Sequence, residues 1–393
     1  MTEQYEDPSD GFFEAPVPVS EHPRVHKGEQ YPEDVTVTPR EPLSTIRVRP
    51  SEPKVSEELV VPERPEPSGA HRLRKGMALH KNVLERLLGG GKSPDVWQAT
   101  HPEFGSTLLK VVQEPTYPAL EIRRMDPIGF EVREKAFLEF ETFHKKVMET
   151  LTPQRTGDGA LLKLLDMGRT EEGRIFKVTK FLTHEVLASS GLLGRKSKDS
   201  HDPAPAINKI KANSWSSEKK LRLVKSVLLS LWQLHRHQFV HGDIKPANVL
   251  AANTPAGYVA RLIDYDNCFP SGSPFDATLI AGDEPYFSPE RSAYQHGELG
   301  DVSMLTTSSD LFSLALVLHE VLSEKGKLPN WNIKRGTAEE SCSAGGSPDY
   351  LPLGTGNMRL EQLLKECLRL NPFDRPSTYD LLVASGVYIE RES

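Results

Sequence analysis

Four side chains in the middle of the chain have the types and the order that phosphoryl transfer requires. Lys245 follows Asp243 by two residues and Asn248 follows it by five, while Asp264 ends a short apolar run. Phosphoryl transfer needs a carboxylate to accept the acceptor's hydroxyl proton, a cation near the transferring group and oxygen ligands for Mg²⁺. Asp243, Lys245 and Asn248 suit these three tasks in that order. Asp264 is a second candidate ligand for the metal ion.

The segment that carries these residues resembles the catalytic loop of the eukaryotic-like protein kinase superfamily. Its sequence from His241 to Leu250 is His-Gly-Asp-Ile-Lys-Pro-Ala-Asn-Val-Leu, and Asp264 begins an Asp-Tyr-Asp triplet where the family has Asp-Phe-Gly. The resemblance implies that ATP and Mg²⁺ (or Mn²⁺) are the cofactors and that Asn248 and Asp264 bind the metal. It also implies transfer of the γ-phosphate to Ser or Thr hydroxyls of a protein substrate.

The hydrophobic pattern predicts a small, β-rich N-lobe at about residues 80–181. Apolar runs indicate strands at residues 82–88, 96–99, 106–112, 161–168 and 174–182. A helical repeat from Phe130 to Met148 follows the third run. Strands, one helix and further strands, followed by a helical region, indicate an α+β fold with two lobes.

A larger, helical C-lobe is predicted at about residues 182–393. Ser217 is the predicted N-cap of a helix that leads to the catalytic loop. Residues 310–322 are apolar nearly all round, which is typical of a helix buried at the centre of a lobe. Further helices are predicted at 360–370 and 379–385. The polar stretches 195–216 and 325–357, rich in Gly, Ser and Pro, are predicted to be surface insertions.

A run of three glycines marks the start of the predicted nucleotide site. Gly89, Gly90 and Gly91 resemble the family's glycine-rich loop, whose main chain approaches the phosphates closely because no Cβ intervenes. Val96 follows on the next strand. Pro94 stands where the family has its third glycine, so this loop is expected to be stiffer and to lack one donor. Taken alone, a glycine triplet is more often a hairpin turn.

Lys110 resembles the strand lysine that pairs with the α- and β-phosphates in the family, although an isolated lysine between apolar residues is usually the solvated side of a strand. In the family, a glutamate of the following helix orients this lysine. Glu134 is the first candidate because Phe137 follows it at helical spacing and would pack inward. Glu131 and Glu139 are rival candidates.

The predicted adenine site lies where the last N-lobe strand leads into the C-lobe. In the family, backbone groups of this hinge hold the adenine. The resemblance therefore assigns Thr179, Phe181 and Leu182 to nucleotide binding, with Thr179 as a small gatekeeper.

Three further residues match the family's structural framework rather than its chemistry. Ser-Pro-Glu ending at Glu290 resembles the family's Ala-Pro-Glu, and the resemblance implies a buried ion pair between Glu290 and Arg375. Asp310, at the start of the apolar helix, is expected to brace the backbone of the catalytic loop. This framework argues against the small-molecule (aminoglycoside- or choline-type) phosphotransferases, which share His-Gly-Asp but lack it.

Three departures from the family bear on how the chain is controlled. Gly242 replaces the arginine that binds a phosphorylated activation loop, so we predict that activity does not depend on phosphorylating residues 265–287. Asp266 stands where the family usually has glycine, and Asp283 replaces a threonine beside the acceptor site. Pro94, Asp266 and Asp283 keep open an alternative, a catalytically weak or inactive pseudokinase that serves as a nucleotide-binding scaffold.

The composition excludes some other classes of protein. The 393 residues carry 48 basic and 55 acidic side chains, a net charge of −7, which is not the footprint of a nucleic-acid-binding protein. No run of 18 apolar residues is present, so no membrane span is expected. The N-terminus lacks the pattern of a signal peptide, and three widely spaced cysteines offer no disulfide framework. A cytoplasmic protein is therefore predicted.

The first 72 residues differ from the rest and are predicted to be a disordered, acidic tail. Residues 1–70 contain 15 acidic and 7 basic side chains and 12 of the 31 prolines, with few large apolar residues. Thr36 and Thr38 lie in this tail. Once phosphorylated, they are candidates to recruit a phosphothreonine-binding partner, and an inert linker is the alternative.

Overall fold

The structure of the protein, a computed structural model, describes residues 73–89, 95–151, 164–181, 185–187, 209–210, 212–254, 257–280 and 282–389. The predicted tail, Gly90, Gly91, Pro94 and Leu182 lie outside the described residues. Within the described ranges, no helix is long and apolar enough to cross a membrane.

Six strands near the N-terminus form one antiparallel sheet in the order β1-β2-β3-β4-β6-β5. Strands β1 to β6 are Ala78–Leu79, Asn82–Gly89, Asp95–His101, Gly105–Thr116, Leu164–Arg169 and Arg174–Lys180. On β4, Lys110 lies opposite Val96 of β3 and opposite Lys177 of β6. The register therefore places two lysines directly beside each other on neighbouring strands.

Two helices connect β4 to β5, namely α1 (Leu120–Met125) and α2 (Pro127–Leu151). Phe137 and Phe140 of α2 are fully buried and share a core cluster with Val112 and Ile175 of the sheet. The helical repeat predicted between residues 130 and 148 is therefore confirmed and is longer at both ends. Helix α1 was not predicted.

The C-terminal part of the chain is built around helices. Helices α3 to α8 are Ser217–His235, Pro289–Gln295, Thr307–Leu322, Ala338–Ser343, Met358–Glu366 and Thr378–Ala384. Helix α5 lies at the centre, with 13 of its 16 residues buried, and Thr306 caps it by accepting a hydrogen bond from the Ser308 amide. The α+β fold, with a β-rich N-lobe and a helical C-lobe, is confirmed.

One hairpin among the short strands of this part determines where two candidate site residues lie. Strands β7 to β14 are Glu185–Leu187, Lys209–Ile210, Phe239–Val240, Val249–Thr254, Gly257–Leu262, Phe269–Pro270, Asn330–Trp331 and Pro348–Asp349. In the β10–β11 hairpin, Val249 pairs with Leu262. Asn248 immediately precedes β10 and Asp264 closely follows β11, so antiparallel pairing brings both to the same end of the hairpin.

Two sequence-based expectations for the C-lobe were wrong. The stretch 325–357 is not a surface insertion, because it contains β13, α6 and β14 and buries Trp331 and Leu353 in the core. Its helix begins at a capping box formed by Thr337 and Glu340, a local signal that the polar composition concealed. Helix α3 is preceded by Ser216, which makes no side-chain cap, rather than by Ser217.

Candidate active site

Asp310, in the first turn of α5, holds the backbone of the catalytic loop. Its carboxylate accepts hydrogen bonds from the backbone amides of His241 at 2.6 Å and Gly242 at 3.0 Å. His235, at the end of α3, contacts the same carboxylate at 3.0 Å. Asp310 is 2% exposed, and a buried carboxylate with this many donors fixes the loop backbone firmly. The predicted bracing role of Asp310 is confirmed.

Asp243, Lys245 and Asn248 come together around one carboxylate oxygen. Lys245 Nζ lies 2.9 Å from Asp243 Oδ2, and Asn248 Nδ2 donates to the same oxygen at 2.9 Å and to the Asp243 carbonyl at 2.8 Å. Lys245 also contacts Asp283 at 3.1 Å. Burial would lower the pKa of Lys245, but the charges of Asp243 and Asp283 raise it overall, so its ammonium group stays charged.

Asp264 takes a backbone conformation that few non-glycine residues adopt. Its φ of 67° and ψ of 68° are left-handed, and they direct the chain from β11 into a 3₁₀ turn at residues 265–267. Lys110 Nζ lies 2.6 Å from Asp264 Oδ1. Burial and the nearby charge of Asp266 raise the pKa of Asp264, and Lys110 opposes this shift. A non-glycine residue in this conformation is typical of a functional site.

The predicted pair between Lys110 and Glu134 is not formed in this structure. Among the described residues, Lys110 forms ion pairs with Asp264, at 2.6 Å, and with Asp266, at 2.7 Å. Glu134 instead accepts a hydrogen bond from the Tyr117 hydroxyl. Tyr117, which follows the end of β4, thus engages Glu134 in this structure, and the role of Glu134 beside Lys110 stays a prediction.

Asp266 also contacts Lys177, a buried lysine of β6. Residue spacing in the sequence did not indicate this contact. Lys177 Nζ lies 2.8 Å from Asp266 Oδ1 and 3.1 Å from His144 Nδ1. Burial alone would raise the pKa of Asp266, but the charges of Lys177 and Lys110 hold it well below its ordinary value. Asp266 is therefore ionised and bridges both lysines.

Gly242 has a conformation that excludes any side chain. Its φ is +76°, and a Cβ at this position would lie 2.5 Å from the carbonyl oxygen of Asn267. The family's arginine is thus incompatible with this backbone. The backbone of the loop therefore requires a glycine at residue 242, and the loss of the arginine side chain follows from this requirement.

The candidate nucleotide-binding residues that the structure describes lie on or beside the N-lobe sheet. Gly89 ends β2, Val96 lies on β3 opposite Lys110, and Thr179 lies on β6 opposite Leu108. The Phe181 amide donates to the Ser106 carbonyl at 3.1 Å, so this amide is already used within the sheet. The assignment of these residues to ATP stays a prediction.

The framework ion pair predicted in the C-lobe is present. Arg375 binds Glu290 through two parallel contacts of 2.6 and 2.8 Å, and both side chains are almost completely buried. Ser309 donates to the same glutamate at 2.7 Å. This pair ties the first turn of α4 to the turn before α8.

Comparison with known proteins finds similarity to protein kinases. Residues 202–385 match the model of the protein kinase domain. The chain is 22% identical over 247 residues to the serine/threonine-protein kinase pkn3 of Myxococcus xanthus, covering 59% of this chain and 39% of that protein. It is 28% identical over 203 residues to the angiopoietin-1 receptor of Danio rerio, covering 48% and 16% respectively.

The chain is also similar to a solved structure. The kinase domain of Mycobacterium tuberculosis PknI is 20% identical, with a TM-score of 0.45, and the match covers 80% of this chain and 98% of that domain. The chain spans less than half the length of the curated relatives named above. The match to the protein kinase domain covers residues 202–385 and so includes the catalytic loop, Asp264 and the pair of Glu290 and Arg375.

Proposed function

We propose that the chain is an active protein kinase that transfers the γ-phosphate of ATP, with Mg²⁺ or Mn²⁺, to Ser or Thr hydroxyls of a protein substrate. The observation that carries this proposal is that Asp243, Lys245, Asn248 and Asp264 lie at one end of the β10–β11 hairpin and that Lys110 of β4 contacts Asp264. Asp243 lies within 2.9 Å of both Lys245 and Asn248, and Asp264 lies 2.6 Å from Lys110.

The side chains proposed as metal ligands have suitable atoms left for a cation. Asn248 uses its amide nitrogen for both bonds to Asp243, so its oxygen remains. Lys110 contacts only Oδ1 of Asp264, so Oδ2 remains. The described residues contain no group of three His, Cys, Asp or Glu side chains that would hold a metal alone, so phosphate oxygens would complete its coordination. These residues fit Mg-ATP.

Asp243 is oriented to act on an acceptor hydroxyl. Its Oδ2 is occupied by Lys245 and Asn248, whereas its Oδ1 accepts no hydrogen bond within the described part of the chain. Oδ1 is thus the oxygen that would take the acceptor's proton. Lys245 would offset negative charge on the transferring group, and Lys110 would hold the other phosphates. Bound Mg-ATP supplies the phosphoryl group and the metal's charge.

A labelled-phosphate assay tests the proposal. The wild-type chain, given γ-labelled ATP and Mg²⁺, should label a protein acceptor, and Asp243→Asn should lower the rate about 10²–10⁴-fold, the usual contribution of a general base. Asp243→Asn keeps the size of the side chain, so its melting temperature should stay close to that of the wild type.

Two outcomes would contradict the proposal and identify the alternatives. ATP binding without label transfer by the wild type would show a pseudokinase that serves as a scaffold. Transfer to an aminoglycoside or to choline, with no labelled protein, would show a small-molecule phosphotransferase. Equal rates for wild type and Asp243→Asn would remove Asp243 from the mechanism.

A further inference from the structure

The pairing of β4 with β6 brings two positive charges together beside the proposed site. Lys110 of β4 and Lys177 of β6 are directly opposite each other, and like charges in such positions repel. The Lys177 side chain is only 5% exposed, so water cannot screen this repulsion well. A buried ammonium group also requires a partner to offset its lost hydration. This pair therefore needs a nearby anion.

Asp266 supplies the anion and uses one oxygen for each lysine. Its Oδ2 lies 2.7 Å from Lys110 Nζ and its Oδ1 lies 2.8 Å from Lys177 Nζ. His144 of α2 faces Lys177 from the other side, with Nδ1 at 3.1 Å. Burial and the charge of Lys177 hold the pKa of His144 well below its ordinary value, so the neutral ring accepts this hydrogen bond. With Asp264, two carboxylates balance two lysines.

No glutamate of α2 contacts Lys110, although the whole helix belongs to the described residues. Glu131 and Glu149 are exposed, Glu134 binds Tyr117, Glu139 faces Lys135, and Glu141 forms two contacts with Arg169. The buried face of α2 beside the sheet carries Phe137 and Phe140 instead. The carboxylate that the helix lacks is present on the turn after β11.

We propose that Asp266, fixed by Lys177, is the residue that positions Lys110 for the nucleotide phosphates. This inference rests on the proposed kinase function and replaces the helix glutamate expected from the family. Asp264 is the proposed metal ligand, so Lys110 needs a second carboxylate that stays in place when Asp264 binds metal. Asp266 meets this need because Lys177, held by His144, anchors its other oxygen.

Kinetics on the full chain test this positioning role. Asp266→Asn should raise the KM for ATP and lower kcat, each about tenfold, because the interaction lost acts through bound nucleotide. The KM for the protein acceptor should change by less than about twofold, since the acceptor side of the site is untouched. Asp301→Asn, which removes the charge of an exposed carboxylate outside the proposed site, is the matched control and should leave all three constants unchanged.

A double substitution separates positioning from stability. Asp266→Asn leaves the buried Lys177 without a carboxylate, and Lys177→Met leaves Oδ1 of Asp266 without its cation, so each should lower the melting temperature. The combined variant removes both groups and should recover most of that loss. The KM for ATP should nevertheless stay raised in the combined variant. Recovery of the KM together with the melting temperature would overturn the proposal and leave the pair purely structural.

Calorimetric titration with Mg-ATP keeps the test independent of turnover. The dissociation constant should rise about tenfold in Asp266→Asn even if the wild type transfers no phosphate, so failure of the kinase function is distinguishable from failure of this inference. If Glu134→Gln weakens ATP binding and Asp266→Asn does not, the helix glutamate positions Lys110 and the inference is wrong.

Discussion

At the scale of single residues, Gly242 shows how a missing side chain is built into the catalytic loop. Both carboxylate oxygens of Asp310 bind the amides of His241 and Gly242, which fixes the loop where residue 242 has positive φ. The Asn267 carbonyl then occupies the space of a Cβ. The loop therefore has no place for the arginine that binds a phosphorylated activation loop in the protein kinase family.

We expect Gly242→Ala to lower the free energy of unfolding by about 1–3 kcal/mol, because alanine meets both an unfavourable φ and a backbone atom. Gly297→Ala is the matched control, since Gly297 has a φ of +72° but no atom within 4 Å of its Cβ position. Urea denaturation of both variants isolates the steric contribution. Equal losses would contradict the close approach to Asn267.

Most of the residues proposed to carry the chemistry could be predicted from their spacing in the sequence. The buried residues that hold them in place could not. Asp243, Lys245 and Asn248 lie within one short loop, so sequence order alone indicates that they are close. Lys177 stands between apolar residues of a strand and would ordinarily be solvated. Only the pairing of β4 with β6 and the position of Asp266 show that this lysine is buried.

At the scale of elements, side chains of the short helix α4 donate hydrogen bonds to main-chain carbonyls of residues 265–287, called here the activation segment. Tyr294 donates to the Phe275 carbonyl at 2.5 Å, Gln295 to the Ala277 carbonyl at 3.1 Å and Arg291 to the Ile280 carbonyl at 2.8 Å. These bonds require no phosphate on the segment. They give a physical reason for the prediction that phosphorylation of residues 265–287 is dispensable.

We predict that combining Tyr294→Phe with Gln295→Ala lowers kcat severalfold, because two of these hydrogen bonds are lost and each contributes about 1 kcal/mol. The control is the triple alanine variant of Ser271, Ser273 and Thr278, which should retain turnover. Initial rates with a protein acceptor measure both effects. Loss of turnover in the triple variant, with full activity in the double variant, would show that phosphorylation controls the segment.

The helices and strands with long hydrophobic repeats were predicted correctly from the sequence. Helices whose formation depends on local capping were not. Helices α2 and α5 and the sheet strands carry clear apolar periods, so their existence followed from the sequence. Helix α6 has six residues and depends on its capping box, and α1 has no buried residue at all. Periodicity has little to detect in such short elements.

At the scale of the whole molecule, the buried pair of Glu290 and Arg375 links distant parts of the C-lobe. Arg375 also stacks over Phe312 of α5, with 5.1 Å from its guanidinium carbon to the ring centroid. Ser309 completes the hydrogen bonding of the glutamate. The position of the segment between Asp264 and α4 thus depends on contacts far from it in sequence.

We expect Glu290→Gln or Arg375→Met alone to cost about 3–5 kcal/mol of unfolding free energy, since each leaves its partner charged and buried. The combined variant should lose less than the sum of the two, because no unpaired charge remains. Denaturant titration of the three variants measures this coupling. Strict additivity would show that the two side chains do not interact.

We propose that the protein transfers phosphate from ATP with Asp243 as the general base and without phosphorylation of residues 265–287. The most direct test treats the wild-type chain with a phosphatase, verifies by mass spectrometry that residues 265–287 carry no phosphate, and measures label transfer from γ-labelled ATP in the first seconds. We predict the same initial rate as for untreated protein, with Asp243→Asn at background. A rate near background for the dephosphorylated protein, restored only after the segment is phosphorylated, would contradict the claim.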